Sequence, residues 1–198
     1  EDKKIITCHI GNGASIAAVD CGKCVDTSMG LTPLEGVMMG TRSGDIDGGA
    51  VAFLQKKLNL DADGISDLLN KKSGVLGITE LSSDMREVEA ACEKGEPKAV
   101  LAMKMYNYRI KKYIGAYAAA MGGVDIIVFT AGVGENQWST RQESCEGLEF
   151  LGVEIDKELN KGLRGVEKVI STANSKVTVC IIPTDEELMI ATDTMNLL

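Results

Sequence analysis

Apolar and polar positions alternate through the first 27 residues. Residues 4–10 (Lys-Ile-Ile-Thr-Cys-His-Ile) read as a strand that ends at Gly11-Asn12-Gly13. Residues 14–20 read as a second strand and, after a turn at Cys21-Gly22-Lys23, residues 24–27 as a short third. Glycine-centred turns between β-rich runs predict a meander of hairpins. Residues 28–49 mix glycine with Thr, Ser and Asp and predict a long loop; inside a compact domain such loops are functional or disordered. The period then changes. Residues 50–58 and 63–71 read as short helices, and Ser82-Ser83-Asp84 offers an N-cap for a helix over 85–92. The strongest helical pattern is 97–121, where Val100, Met103, Asn107, Ile110, Ile114, Tyr117 and Met121 recur at spacings of three and four, and Gly122-Gly123 ends it. Val124 to Thr130 is an apolar strand of the buried parallel type. It runs into a turn, Ala131 to Asn136, and a helix near 139–147. A short helix over 156–163, strands over 166–171 and 177–183, and a last helix over 185–197 capped by Thr184 or Asp185 complete the chain. Hairpins, then helices, then alternating strands and helices predict an α/β domain with a mixed sheet.

Composition narrows the chemistry. The 198 residues are 44% hydrophobic, enough for a sizeable core. The net charge of −8 argues against nucleic-acid binding, which needs a basic patch. The single histidine, His9, excludes a zinc site with two His ligands and the H-E-x-x-H motif. No apolar run is long enough to span a membrane and no signal-peptide pattern occurs. The six scattered cysteines fit a reducing cytoplasm better than a disulfide framework. An initial Glu in place of Met, with a strand almost at once, predicts a fragment of something longer.

Three glycine-rich turns follow strands: Gly11-Asn12-Gly13, the 40–49 loop and Gly132-Val133-Gly134. Glycine lets backbone amides approach phosphate oxygens, and a following helix adds positive potential. None is a P-loop or a dinucleotide fingerprint, and each alone is an ordinary tight turn; together they favour phosphate binding. Cys21-Gly22-Lys23-Cys24 sits in a predicted hairpin turn, so it reads as a turn with incidental thiols rather than a redox or zinc site. His9 at a strand end reads as structural or as a ligand contact. Arg42 is a surface charge or the cation that meets a transferring phosphoryl group. Glu186 and Glu187 are first-turn helix acids or magnesium ligands.

Blocks spread over nearly the whole chain then resemble one family. They are His9 to Gly13, Asp26 to Gly36, Met39 to Asp47, Ser83 to Arg86, Phe129 to Asn136 and Pro183 to Glu187, and the family is that of the acetate kinases. The resemblance implies a ribonuclease-H-like domain of the acetate and sugar kinase/actin/heat-shock-type superfamily, and reversible phosphoryl transfer between ATP and acetate with Mg²⁺. It covers about the C-terminal half of such an enzyme: residues 1–187 as the nucleotide-binding domain, and 188–198 as a final helix that packs on the N-terminal domain. Residue by residue, it implies that His9, Ile10, Gly11, Asn12 and Gly13 bind phosphate, with His9 and Asn12 beside the transferring group. Arg42 matches the arginine that stabilises the transition state. Asp84, Met85 and Arg86 match a nucleotide-pocket segment, Gly132, Val133, Gly134, Glu135 and Asn136 the adenosine turn, and Glu186 the magnesium-associated glutamate. Gly132 and Gly134 leave room for an adenosine, which favours ATP/ADP over pyrophosphate. Two departures stand out: Gly48-Gly49 where the family usually has Pro-Ala, expected to loosen the loop behind Arg42, and Asp185 for a common Asn, expected to add a carboxylate beside the metal. Members are typically homodimeric. Propionate or butyrate kinase is the nearest alternative, and a non-catalytic ATP-binding module or assembly partner the alternative of another class.

Overall fold

In a computed structural model, which describes residues 2–197, the N-terminal alternation becomes three antiparallel strands, β1 (Lys4–Ile10), β2 (Ala14–Asp20) and β3 (Lys23–Thr27). Ile6, Cys8 and Ile10 share one face with Ala14, Ile16 and Ala18, and all six are buried. Cys21 and Gly22 carry φ of 50° and 79° at the β2–β3 turn. Two positive φ values in a two-residue turn match the twist of the flanking strands. All six cysteines are free.

β4 (Ile126–Thr130) lies parallel to β1, β6 (Thr178–Ile181) lies parallel to β4, and β5 (Lys168–Val169) is an antiparallel edge. The sheet order is β3-β2-β1-β4-β6-β5, the expected mixed sheet. β4 starts two residues late because the Asp125 carboxylate accepts a hydrogen bond from the Lys4 backbone N–H at 2.8 Å, beside the positive-φ pair Gly122-Gly123. β5 keeps only two of the six residues expected in a strand over 166–171.

The helices are α1 (Gly48–Leu58), α2 (Ala62–Lys71), α3 (Gly74–Thr79), α4 (Met85–Glu93), α5 (Pro97–Met121), α6 (Ala131–Asn136), α7 (Trp138–Cys145), α8 (Lys157–Asn160) and α9 (Glu186–Asn196). α5 buries the predicted stripe at Met103, Asn107, Ile110, Ile114, Tyr117 and Met121, with Val100 only half-buried, and packs on β1, β2, α3, α4 and α7. Pro97 at its first turn and Gly122 at its left-handed C-cap set its limits. Three expectations change. α3 falls where no element was expected, residues 131–136 form a helical turn rather than an open one, and the helix over 156–163 shrinks to four residues. Gly48-Gly49 are the first turn of α1, with Asp47 Oδ1 accepting from the Gly49 N–H at 3.0 Å, so they start a capped helix rather than loosen the loop. α9 buries none of its residues. No helix among the described residues is long and apolar enough to cross a membrane.

Candidate functional site

The C-terminal ends of β1 and β4 lie side by side, with His9 paired to Thr130, so the turns that leave them meet. An ideal Cβ on Gly11 would lie 3.7 Å from the Ala131 Cβ at the start of α6. One on Gly40 would lie 2.9 Å from Asn12 Oδ1 and 3.1 Å from the Ser83 carbonyl oxygen, and one on Gly13 only 3.2 Å from Arg42 Nη1. Four sequence-distant segments thus converge on one cleft of about 650 Å³, lined among others by Gly11, Asn12, Asp84, Arg86, Gly132 and Asn136.

The 28–49 loop is ordered. Val37, Met38 and Met39 are buried in the core. The Ser43 N–H donates to the Leu69 carbonyl, Thr41 Oγ1 donates to that of Asn70, and the Ser73, Val75 and Leu76 N–H groups donate to Thr41, Met39 and Gly40. The N–H groups of a helix start, unpaired within the helix, are thereby used to hold the loop. Arg42 is half-buried over the Gly11–Gly13 turn. Its guanidinium meets only the Pro33 carbonyl at 3.4 Å and the Met39 sulfur at 3.7 Å, and no ion pair among the described residues engages it. A positive charge held without a counterion beside a glycine turn is suited to an anion.

On the opposite wall Arg86 donates to Asp84 at 3.0, 3.2 and 2.6 Å, and these bonds hold the Asp84 carboxyl down at about 2. Asp84 also caps α4 through the Arg86 N–H at 2.9 Å. The wall is completed from behind by Arg141, which is fully buried on α7. It donates to the carbonyls of Gly134, Glu135 and Leu163 and to Asn160 Oδ1, each at 2.8–2.9 Å. Burial, with Arg164 nearby, lowers its pKa to about 10, so it stays charged at neutral pH. The clamp fixes α6 against the 161–165 segment and carries Arg164 to the cleft, where its guanidinium lies 3.9 Å from Glu89.

Of the expected phosphate- and nucleotide-binding residues, Gly11, Asn12, Asp84, Met85, Arg86, Gly132, Val133 and Asn136 line the cleft; His9, Ile10, Gly13, Gly134 and Glu135 do not. His9 is half-buried at the end of β1 and Ile10 is buried in the core. The two α6 glycines differ. A Cβ on Gly132 would meet nothing within 4 Å, whereas one on Gly134 would meet the Phe129 backbone at 3.4 Å and the Cys8 carbonyl at 3.5 Å. Gly132 therefore leaves the room, and Gly134 serves close packing on the sheet. Glu135 turns away: its Oε1 accepts from the Thr184 N–H and hydroxyl at 2.9 and 3.0 Å, tying the approach to α9 onto α6. Glu186 is exposed two residues later. Asp185 is occupied as the α9 cap, accepting from the Leu188 N–H at 3.0 Å. Among the described residues no group of three acidic, His or Cys side chains is gathered for a metal. Gly40, Ser83 and Arg164 line the cleft without having been singled out. The first two lie inside blocks quoted above, but Arg164 has no local signal and is placed by the Arg141 clamp.

The model of the acetokinase family matches residues 1–192. The chain belongs to this family. It is 71% identical over 196 residues to the acetate kinase of Phocaeicola vulgatus and 67% identical over 196 residues to that of Bacteroides thetaiotaomicron, in both cases 99% of this chain and 49% of the relative. Among solved structures, the Porphyromonas gingivalis acetate kinase superposes with a TM-score of 0.96 at 61% identity, covering 98% of this chain and 49% of that one. A propionate kinase from Francisella tularensis gives 0.91 at 42% identity, covering 100% and 50%. The chain thus spans about half the length of the family members it matches. It has the family's ribonuclease-H-like fold of the sugar kinase, actin and heat-shock type, with its mixed sheet and flanking helices.

Proposed function

We propose that this chain is the nucleotide-binding, C-terminal half of an acetate kinase, which transfers a phosphoryl group reversibly between ATP and acetate. The observation that carries the reading is Arg42, a cation with no ion-pair partner among the described residues, held against the Gly11–Gly13 turn where four segments meet. In this reading an acetate oxygen attacks the γ-phosphorus in line. A new P–O bond forms, the bond to the β-phosphate oxygen breaks, and ADP leaves with that electron pair. Such a transfer needs positioning and cations around the three equatorial oxygens more than covalent help. Arg42, His9 and Asn12 supply the contacts to the phosphoryl group, with Ile10, Gly11 and Gly13 shaping the turn. Asp84, Met85 and Arg86 hold the nucleoside from one side and Gly132, Val133 and Asn136 from the other, while Gly134 packs that turn on the sheet and Glu135 ties it to Thr184.

The donor set suits Mg²⁺. The ion commonly takes one or two carboxylates and completes its shell with water and phosphate oxygens. The exposed Glu186 carboxylate, two residues beyond the Thr184 that Glu135 holds, offers one such oxygen ligand rather than a cage. When bound there, the ion would neutralise phosphate charge. Residues 1–187 form the domain in this reading, and 188–198 pack on the other half of the enzyme, which also supplies the acetate pocket. The isolated chain is then inactive. The 71% identity to the Phocaeicola vulgatus acetate kinase, against 42% to the propionate kinase, favours acetate. Six free cysteines support a cytoplasmic location, and a homodimer follows from the family resemblance.

The test is Arg42→Ala in the full-length enzyme. We expect kcat to fall by about 10³-fold or more while calorimetric affinity for Mg²⁺–ADP changes little, as for other arginines in phosphoryl transfer. Unchanged kcat would sink the assignment.

A further inference from the structure

We propose that Asp45 and Tyr113 are positioning residues for the phosphoryl transfer, an anchor that holds the Arg42 loop to α5. The proposal rests on the role given to Arg42 above. Arg42 sits on the loop 36–45, and every polar group of Asp45 either closes that loop or fastens it to α5. Its N–H donates to the Gly36 carbonyl at 2.8 Å, and its Oδ1 accepts from the Gly36 N–H at 3.0 Å. Its Oδ2 accepts from the Tyr113 hydroxyl at 2.8 Å, and its carbonyl receives Arg109 Nη2 at 3.5 Å. The first two bonds close the ring, and the last two fasten it to the middle of α5, the long helix whose apolar stripe is buried in the core.

The closure is tight. Gly36 and Gly44 have φ of 111° and 67°, and a Cβ on Gly44 would stand 2.5 Å from the Gly36 carbonyl oxygen. Within the ring the Met39 N–H donates to the Arg42 carbonyl at 3.1 Å, and Val37 and Met39 are fully buried. α2 and α3 hold the loop from one side through residues 39–43, as described above. Asp45 and Tyr113 hold it from the other. Without them the Arg42 backbone would be restrained on one flank only.

The residue type matters as well. Two donors, the Gly36 N–H and the Tyr113 hydroxyl, address two different oxygens of Asp45. A carboxylate accepts both, whereas an asparagine amide offers one acceptor and a donor. Tyr113 is itself steadied by an edge-to-face contact with Tyr117, ring centroids 5.6 Å apart.

A group that acts through Arg42 should lose its effect when Arg42 is gone. The experiment measures kcat and both KM values in the full-length enzyme for Tyr113→Phe, Asp45→Asn and Asp45→Ala, each with Arg42 present and with Arg42→Ala. Displacing a catalytic group by a fraction of an ångström to an ångström costs up to about 100-fold in rate, so a loss of about tenfold in kcat is expected for Tyr113→Phe and more for Asp45→Ala. The KM for ATP should stay within about twofold, because the nucleotide walls are not touched. In the Arg42→Ala background the same changes should alter kcat by less than about twofold. Equal losses in both backgrounds would overturn the anchor, and so would an unchanged kcat in both Tyr113→Phe and Asp45→Ala while Arg42→Ala alone is crippled. Full turnover in Arg42→Ala alone would overturn the reading of the site, and the anchor with it. Tyr113→Phe removes one hydroxyl without changing the ring, which keeps the test open should Asp45→Ala fail to fold.

Discussion

Arg141 is a buried cation whose bonded partners are all neutral oxygens: three carbonyls and the Asn160 amide. Burying a guanidinium costs free energy, and full satisfaction of its donors offsets that cost. The arrangement suits arginine alone, since its planar fork reaches Gly134, Glu135 and Leu163 at once and a lysine ammonium could not. Replacing it by Met keeps much of the volume and leaves those acceptors buried and unpaired. A buried acceptor that loses its donor costs about 1–3 kcal/mol. Arg141→Met should therefore destabilise the full-length protein by about 3–5 kcal/mol in urea unfolding. It should also weaken Mg²⁺–ATP binding in calorimetry, because α6 and the 161–165 segment, two parts of the cleft wall, lose their common fastening. A stable variant with normal affinity would show that α6 is held by its packing on the sheet. The exposed Asp84–Arg86 pair is the contrast: it orders side chains at the cleft and contributes little to stability, as surface pairs do.

At the scale of the element, α3 has the least helical sequence in the chain, Gly-Val-Leu-Gly-Ile-Thr. Glycine and β-branched residues disfavour a helix. It forms because its first N–H groups find the Met39 and Gly40 carbonyls, so loop and helix each satisfy the other. That contact requires Gly74: its φ is 61°, and a Cβ there would collide with the Met39 carbonyl oxygen and lie 2.7 Å from that of Arg42. Gly74→Ala should cost about 3 kcal/mol and lower kcat, since positive-φ strain and a backbone clash add. Gly48→Ala is the control, at a helix first turn with nothing within 4 Å of the new methyl, and should stabilise by about 0.5 kcal/mol. Equal effects in urea titrations would remove the special role of Gly74. The same contrast separates what was legible in the sequence from what was not. β1, β2, α4, α5 and the turn after β1 are written in local periodicity and caps, whereas the turn after β4 was legible only in its position and not in its helical form. α3, the clamp on Leu163 and the approach of Arg164 depend on partners tens of residues away, which no window of neighbouring residues contains. The candidate site was legible because its residues fall in contiguous blocks around strand ends. The difference between Gly132 and Gly134, two residues apart, was not, since it depends on which one faces the sheet.

On the scale of the whole molecule, the apolar surface is unevenly covered. One face of β1 and β2 lies under α5, whereas Ile5, Thr7 and His9 on the other face of β1 are only half-buried. α9 follows the Glu135–Thr184 tie and leaves Leu188, Met189, Ile190, Met195 and Leu197 in solvent. Isolated exposed apolar residues are ordinary, but several on one short helix mark a surface that takes a partner. The relatives are about twice as long as this chain, so the occupant we propose is the remaining half of the same polypeptide. This reading makes a discriminating prediction, because α9 is exposed here. Leu188 and Met195 stand seven residues apart and so share a helix face. Leu188→Ser and Met195→Ser, made in the full-length enzyme, should each destabilise it by about 1–3 kcal/mol, the worth of a buried aliphatic side chain. On a helix that stays in solvent, the same changes would fall within about 0.5 kcal/mol. Urea unfolding of the two variants beside the parent reads the difference. Small effects at both positions would mean that α9 does not pack on the other half, and residues 188–198 would then belong with 1–187 as part of one domain. Because Glu186, the carboxylate we propose for Mg²⁺, sits in the first turn of this helix, a docked α9 would also fix the direction in which it points. Leu188→Ser should in that case raise the Mg²⁺ concentration needed for half-maximal activity, which unfolding measurements alone would not reveal.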